Sequence, residues 1–153
     1  MIAKIKQDSM GSYPKKRSLD EAGRDSILSL TAGYFASQHP EILAAYVFGS
    51  FARQEAFGDL DVAALMAARL AEPLEFELQL ERDLEKLVRI PADVRILNEA
   101  PLSFQYTVIR QGKVLLDHDP NRRAAFEGNV IKQYLDFSRF RRRCLKEIAH
   151  AEI

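Results

Sequence analysis

An α+β fold is predicted, with a small β-sheet flanked by helices and a long helix at the C-terminal end. Three features of the sequence predict it. Short apolar runs of strand length recur four times. Segments whose apolar residues repeat at helical spacing separate them. From Pro120 onward, no further proline interrupts a mixed apolar and charged stretch.

The elements follow in order. Ser18 and Glu21 have capping-box spacing. Behind them Ile27, Leu30, Thr31, Tyr34 and Phe35 share one helical face, and His39-Pro40 ends this first helix. Ala44 to Phe48 is a short apolar run stopped by Gly49, which reads as a buried strand. Ala52 to Ala56 favours a helical turn, and Asp59 to Leu65 is a second strand. Leu70 to Val88 carries Leu74, Leu78, Leu84, Leu87 and Val88 among charges, the pattern of an amphipathic helix. Pro91 introduces a third strand, Ala92 to Leu97. Pro101 suits the first turn of a helix running to about Arg110, which Gly112 ends. Val114 to Leu116 is a fourth strand, and Pro120 opens the last helix. Strands alternating with helices imply a sheet covered by helices. Residues 1–17, with Gly11, Pro14 and a Lys15-Lys16-Arg17 cluster, read as a flexible tail; 18–150 read as a single domain.

Bulk properties narrow the function. A chain of 153 residues suits one hydrophobic core. Lys+Arg and Asp+Glu both number 22, so the basic excess of many nucleic-acid binders is missing. Cys144 is the only cysteine, which rules out an internal disulfide and any Cys/His zinc spacing. No apolar run approaches the roughly 20 residues that span a bilayer. The first residues are too polar for a signal peptide, so the expected compartment is the cytoplasm. Neither a P-loop nor a dinucleotide-binding glycine pattern occurs, which disfavours a kinase or a nicotinamide enzyme.

The chemistry concentrates in two strand ends. Val47-Phe48-Gly49-Ser50 takes a buried strand into a turn. Glycine lets phosphate approach the backbone, N–H groups at a helix start attract anions, the Ser50 hydroxyl adds a donor, and Arg53 adds charge. Alone, Gly-Ser is an ordinary turn. The next strand supplies Asp59 and Asp61, two positions apart and therefore on one face. Two carboxylates that close repel unless a cation lies between them. Mg²⁺ accepts carboxylate and phosphate oxygens together, so the pair is a candidate metal site; two solvated acids at a strand end are the alternative. Asp93 stands in a run otherwise built for burial, where an acid needs a metal or a partner, and Arg95 on the same face would serve as a partner. Taken together, the three acids suit phosphoryl chemistry with metal ions. Asp59 and Asp61 would bind the metals. Asp93 would bind the second metal and help deprotonate an attacking hydroxyl. Gly49 and Ser50 would hold a triphosphate.

This arrangement resembles the polymerase-β-like nucleotidyltransferase superfamily, whose motif is Gly-Ser, a spacer, Asp-x-Asp and a third carboxylate on a later strand. It is most similar to the minimal nucleotidyltransferase (MNT) antitoxins that pair with HEPN toxins. The likeness rests on Phe48 to Arg53, Asp59 to Ala63, Asp93 to Leu102 and Val108 to Leu116, within roughly residues 25–120. It implies a small mixed sheet and a cytoplasmic antitoxin. It further implies Mg²⁺-dependent transfer of AMP from ATP to a tyrosine of a HEPN RNase toxin, with which the antitoxin forms a complex. Two departures stand out. The spacer runs only from Phe51 to Gly58, shorter than the family's usual length, and Gln54 and Gly58 replace a common glycine and serine. A weakened enzyme that neutralises by binding and occluding the toxin is therefore the alternative.

The final helix carries Phe126, Val130, Ile131, Tyr134, Leu135, Phe137 and Phe140, more than one narrow stripe buries, followed by Arg139, Arg141, Arg142, Arg143 and Lys146. Packing on the sheet with a solvated basic end is one reading. A docking surface for a toxin or for RNA is the other. Arg143 and His150 are spaced like a HEPN RNase motif, a coincidence in a chain without the bundle that motif needs. His39 and His118, beside prolines and turns, are expected at the surface.

Overall fold

The computed structural model describes residues 16–151. The expected tail thus lies largely outside the described residues. Arg17, at its end, is tied to the body: its backbone pairs with Phe57 at 2.7 and 3.0 Å, and its guanidinium donates to the Arg89 carbonyl at 3.1 Å.

Among the described residues, five helices and four strands alternate as expected: α1 (Glu21–Gln38), β1 (Ile42–Phe48), α2 (Gly49–Ala52), β2 (Leu60–Met66), α3 (Pro73–Val88), β3 (Ala92–Ile96), α4 (Leu102–Gln111), β4 (Lys113–Asp117) and α5 (Pro120–Ala151). The cap of α1 is Asp20, not Ser18: its carboxylate accepts from the Gly23 N–H at 2.8 Å. The helical turn also begins earlier than expected, on Gly49 itself.

The sheet order is β3-β2-β1-β4. β1 runs antiparallel to β2 and β4, whereas β2 and β3 are parallel, so the sheet is mixed. Alternation sends the two faces of each strand to different layers. Ala45, Val47, Val62, Ala64 and Val94 face α1 and α3, where Phe35, Leu80 and Leu84 complete the larger core. Ala44, Tyr46, Ala63, Leu65 and Leu97 face Val108 of α4 in a smaller core, with Phe104 and Phe126 partly buried against it.

The outer edge of β3 has an unusual cover. Its N–H groups at Ala92, Val94 and Ile96 donate to the carboxylates of Glu85, Glu81 and Glu77 at 3.2, 3.0 and 2.8 Å. These acids recur every fourth residue of α3, one per helical turn, and match the two-residue repeat along the strand. Side chains thereby satisfy an edge that would otherwise present open donors. Glu77, Glu81 and Glu85, which the sequence presents as a solvated helix face, thus support the strand that carries Asp93.

Candidate active site

Gly49 occupies the bend between β1 and α2 with φ of 72°. Side-chain-bearing residues avoid this left-handed conformation. A Cβ placed there would collide with Asp61 Oδ2. The glycine is therefore required twice, for the backbone angle and for the close approach of the acid. The turn holds its shape through bonds from Arg53 N to Gly49 O at 3.2 Å and from Glu55 N to Ser50 O at 3.1 Å.

A clamp that the sequence reading missed comes from α1. Arg24 is buried, and its guanidinium donates to the carbonyls of Phe51 and Glu55, both at 2.8 Å. It also lies over the rings of Phe51 and Phe57. Charge-assisted bonds of this kind are stronger than neutral ones. They pin the start and the middle of the short spacer behind the Gly49 turn. The available signal was position: Arg24, Ile27, Thr31 and Phe35 form one stripe, so an arginine stood on the buried face.

Register decides which acids meet. Asp61 on β2 stands opposite Asp93 on β3 and opposite Phe48 on β1. Asp59 lies one residue ahead of β2, although the strand was expected to begin on it. Burial first, and then the charges of Asp59 and Asp93, push the Asp61 carboxyl up to about 6, with Arg53 offsetting part of the rise. The three predicted acids are thus electrostatic neighbours centred on Asp61. Among the described residues, however, no three potential ligands are closed into a metal-binding group. Mutual repulsion holds carboxylates apart, and Arg95 draws Asp93 toward itself at 3.2 Å. Asp93 is therefore paired with Arg95 while standing in register with Asp61.

The Arg53 guanidinium points to Glu55 at 3.0 Å, leaving it half-exposed beside the turn. Ser50 is half-buried within α2. Gln54 has φ of 60°, the backbone region that glycine adopts without strain. The glycine common at this position in similar proteins is thus explained, and its replacement is a local cost in this chain.

Asp93 and Arg95 line a cavity of about 680 Å³ together with Phe48, Leu70, Asn98 and Phe104. The two phenylalanine rings meet edge to face at 5.5 Å. The acids accordingly lie between a phosphate-compatible turn and an open apolar recess. A donor set of three carboxylates, one held above its ordinary range by burial and by the other two, suits a hard divalent cation such as Mg²⁺.

His39 departs from the surface reading. Its ring meets the Tyr34 hydroxyl at 2.9 Å and Glu41 at 3.0 Å, and it packs edge-on against Phe76. His118 is exposed, with Nδ1 2.9 Å from the Ile42 carbonyl oxygen.

The family model for polymerase beta nucleotidyltransferases matches residues 33–121. No curated protein matches the chain. Among solved structures, a chain from the tri-AMPylated Shewanella oneidensis HEPN toxin in complex with MNT antitoxin is 21% identical. The match covers 85% of this chain and 98% of that one, with a TM-score of 0.62. A chain from a toxin–antitoxin complex with AMP-PNP is 22% identical, with 82% and 97% covered and a TM-score of 0.64. A chain from the MntA–HepT toxin–antitoxin is 20% identical, with 84% and 98% covered and a TM-score of 0.61. At these identities the likeness establishes the shared fold. With the family model spanning more than half of its length, this chain belongs to the polymerase beta nucleotidyltransferase family.

Proposed function

We propose that this protein is an antitoxin that silences a HEPN RNase toxin by Mg²⁺-dependent transfer of AMP from ATP to a toxin tyrosine, with pyrophosphate as the leaving group. The observation that carries the reading is the contact geometry at Gly49. The turn that can receive phosphate lies directly against Asp61, which is itself in register with Asp93. The structural relatives lend support, since they include a toxin–antitoxin complex with AMP-PNP and a tri-AMPylated HEPN toxin bound to MNT antitoxin.

Each residue has a role in this reading. Gly49 and Ser50 receive the triphosphate through backbone N–H groups and a hydroxyl. Arg53 contributes positive charge once it leaves Glu55. Asp59, Asp61 and Asp93 would hold Mg²⁺, which when bound neutralises phosphate charge. Asp93 lines the recess next to Phe48 and Phe104, where it can accept the proton of an entering phenol. Arg24 acts through the backbone, keeping the turn in place.

The shortened spacer and the Asp93–Arg95 pair favour a second reading, a weakened enzyme that neutralises by occlusion. One experiment separates the two. The toxin is incubated with this protein, ATP and Mg²⁺, then weighed intact by mass spectrometry. Mass increments of AMP units, abolished by Asp59→Asn, support transfer. An unchanged toxin mass, with neutralisation retained by Asp59→Asn, refutes transfer in favour of occlusion.

A further inference from the structure

The second half of α5 carries an apolar seam that the body leaves bare. Between Phe126 and Tyr134 the helix packs on α4, and Tyr134 stacks on Tyr106 with centroids 3.8 Å apart. Val130 is its one buried residue. Spacings of four and three carry the same face onward through Phe137, Arg141, Cys144 and Ile148. Phe137 is 56% exposed and Ile148 60%, and Phe140, beside the seam, is 65% exposed. The segment beyond Tyr134 extends about 25 Å, at 1.5 Å per residue. Nothing among the described residues covers it.

Charge selects what can cover it. Residues 135–151 contain five Lys or Arg against two Asp or Glu. A second copy would set two such basic arms side by side. Residues 1–17, with five basic residues and one acid, carry the same sign and are equally unsuited. Arg141 stands within the seam, so any docked partner desolvates it and must supply a carboxylate opposite. A seam with heptad spacing fits a helix rather than an extended strand or a phosphate backbone.

We infer that residues 135–151 form a docking arm for a helix of the toxin that carries acidic residues along its contact face. The inference rests on the toxin–antitoxin reading above, to which it adds the surface and the chemistry of contact. The arm lies outside the acid cluster, so holding the toxin and modifying it are separable tasks.

The test uses the full chain and its cognate HEPN toxin, with affinity measured by calorimetry at low and high salt. Phe137→Ala with Ile148→Ala should weaken binding by about 30-fold or more, as interface anchors do. Arg141→Glu should weaken it too and flatten its salt dependence. Both variants change exposed positions, and an unaltered melting temperature verifies the fold. Asp61→Asn should bind as the parent does. Seam variants that bind like the parent overturn the inference. So does self-association of the parent that Phe137→Ala abolishes, because the occupant is then a second copy. Binding of a labelled RNA that Arg141→Glu alone removes, with toxin affinity unchanged, overturns it in favour of nucleic acid. Arm-dependent binding without AMP transfer refutes the transferase reading and leaves the arm standing. Transfer by the parent, together with seam variants that bind like the parent, does the reverse, and a parent chain that never binds the toxin refutes both.

Discussion

Asp61→Asn should make the metal-free protein more stable at neutral pH while abolishing transfer. Burial and the charges of Asp59 and Asp93 raise the Asp61 carboxyl from 3.8 to about 6. An acid that holds its proton more tightly in the folded state than in the unfolded chain stabilises the fold only while protonated. That contribution is complete below pH 3.8 and disappears as pH rises through about 6. Above this range the charged carboxylate costs at most about 3 kcal/mol, at 1.36 kcal/mol per tenfold change in proton affinity. Partial contact with water roughly halves the figure, to about 1.5 kcal/mol. In a domain of this size, that is a rise of about 3–6 °C in melting temperature for the asparagine variant. The assay is thermal unfolding by circular dichroism from pH 4 to 8 in a chelator. The two proteins should melt together near pH 4 and separate by pH 7. Adding Mg²⁺ should close the gap by stabilising the parent alone, through preferential binding to the folded state. A variant no more stable than the parent at any pH would refute the claim that these carboxylates are held in tension.

Three further outcomes follow from the same geometry. Gly49→Ala puts a methyl where Asp61 Oδ2 stands, on a left-handed backbone, and should cost about 1–3 kcal/mol in urea denaturation and eliminate transfer. Gln54→Gly relieves the left-handed strain at φ of 60° and should stabilise the fold by about 0.5–1 kcal/mol, read by the same denaturation; a loss of stability would show that the Gln54 side chain matters more than its backbone. Glu81→Ala leaves the Val94 N–H without its acceptor and should cost about 1–3 kcal/mol, whereas Glu81→Gln keeps an oxygen in place and should cost less; equal losses would discount the edge-capping role.

Most elements were legible from local chemistry. Proline and glycine mark the boundaries at Pro40, Gly49, Pro101, Gly112 and Pro120, because their backbone limits hold in any context. Helical repetition identified the helices and short apolar runs the strands. Ends were less secure: Ser18 has the residue type of a cap, yet Asp20 is the one whose carboxylate reaches a free N–H. His39 looked superficial because local sequence carries no sign of Tyr34 and Phe76 converging on it.

The residue types of the candidate site were visible in one dimension. Gly-Ser, Asp-x-Asp and an acid in an apolar strand each reveal themselves by chemistry that sits badly with a plain core. Their meeting was not visible, because strand register couples residues far apart in the chain. Parallel pairing of β2 with β3 sets Asp61 opposite Asp93, and antiparallel pairing of β1 with β2 brings Gly49 against Asp61. The same holds for the supports. Arg24 reaches the Gly49 turn from another helix, and three glutamates of α3 reach the edge of β3. By itself the sequence determined which groups this protein has to work with and where the backbone must turn, since those depend on residue type and nearest neighbours. Only the tertiary structure decided which charges share a low-dielectric pocket and which are neutralised by a partner, since those depend on distance in space.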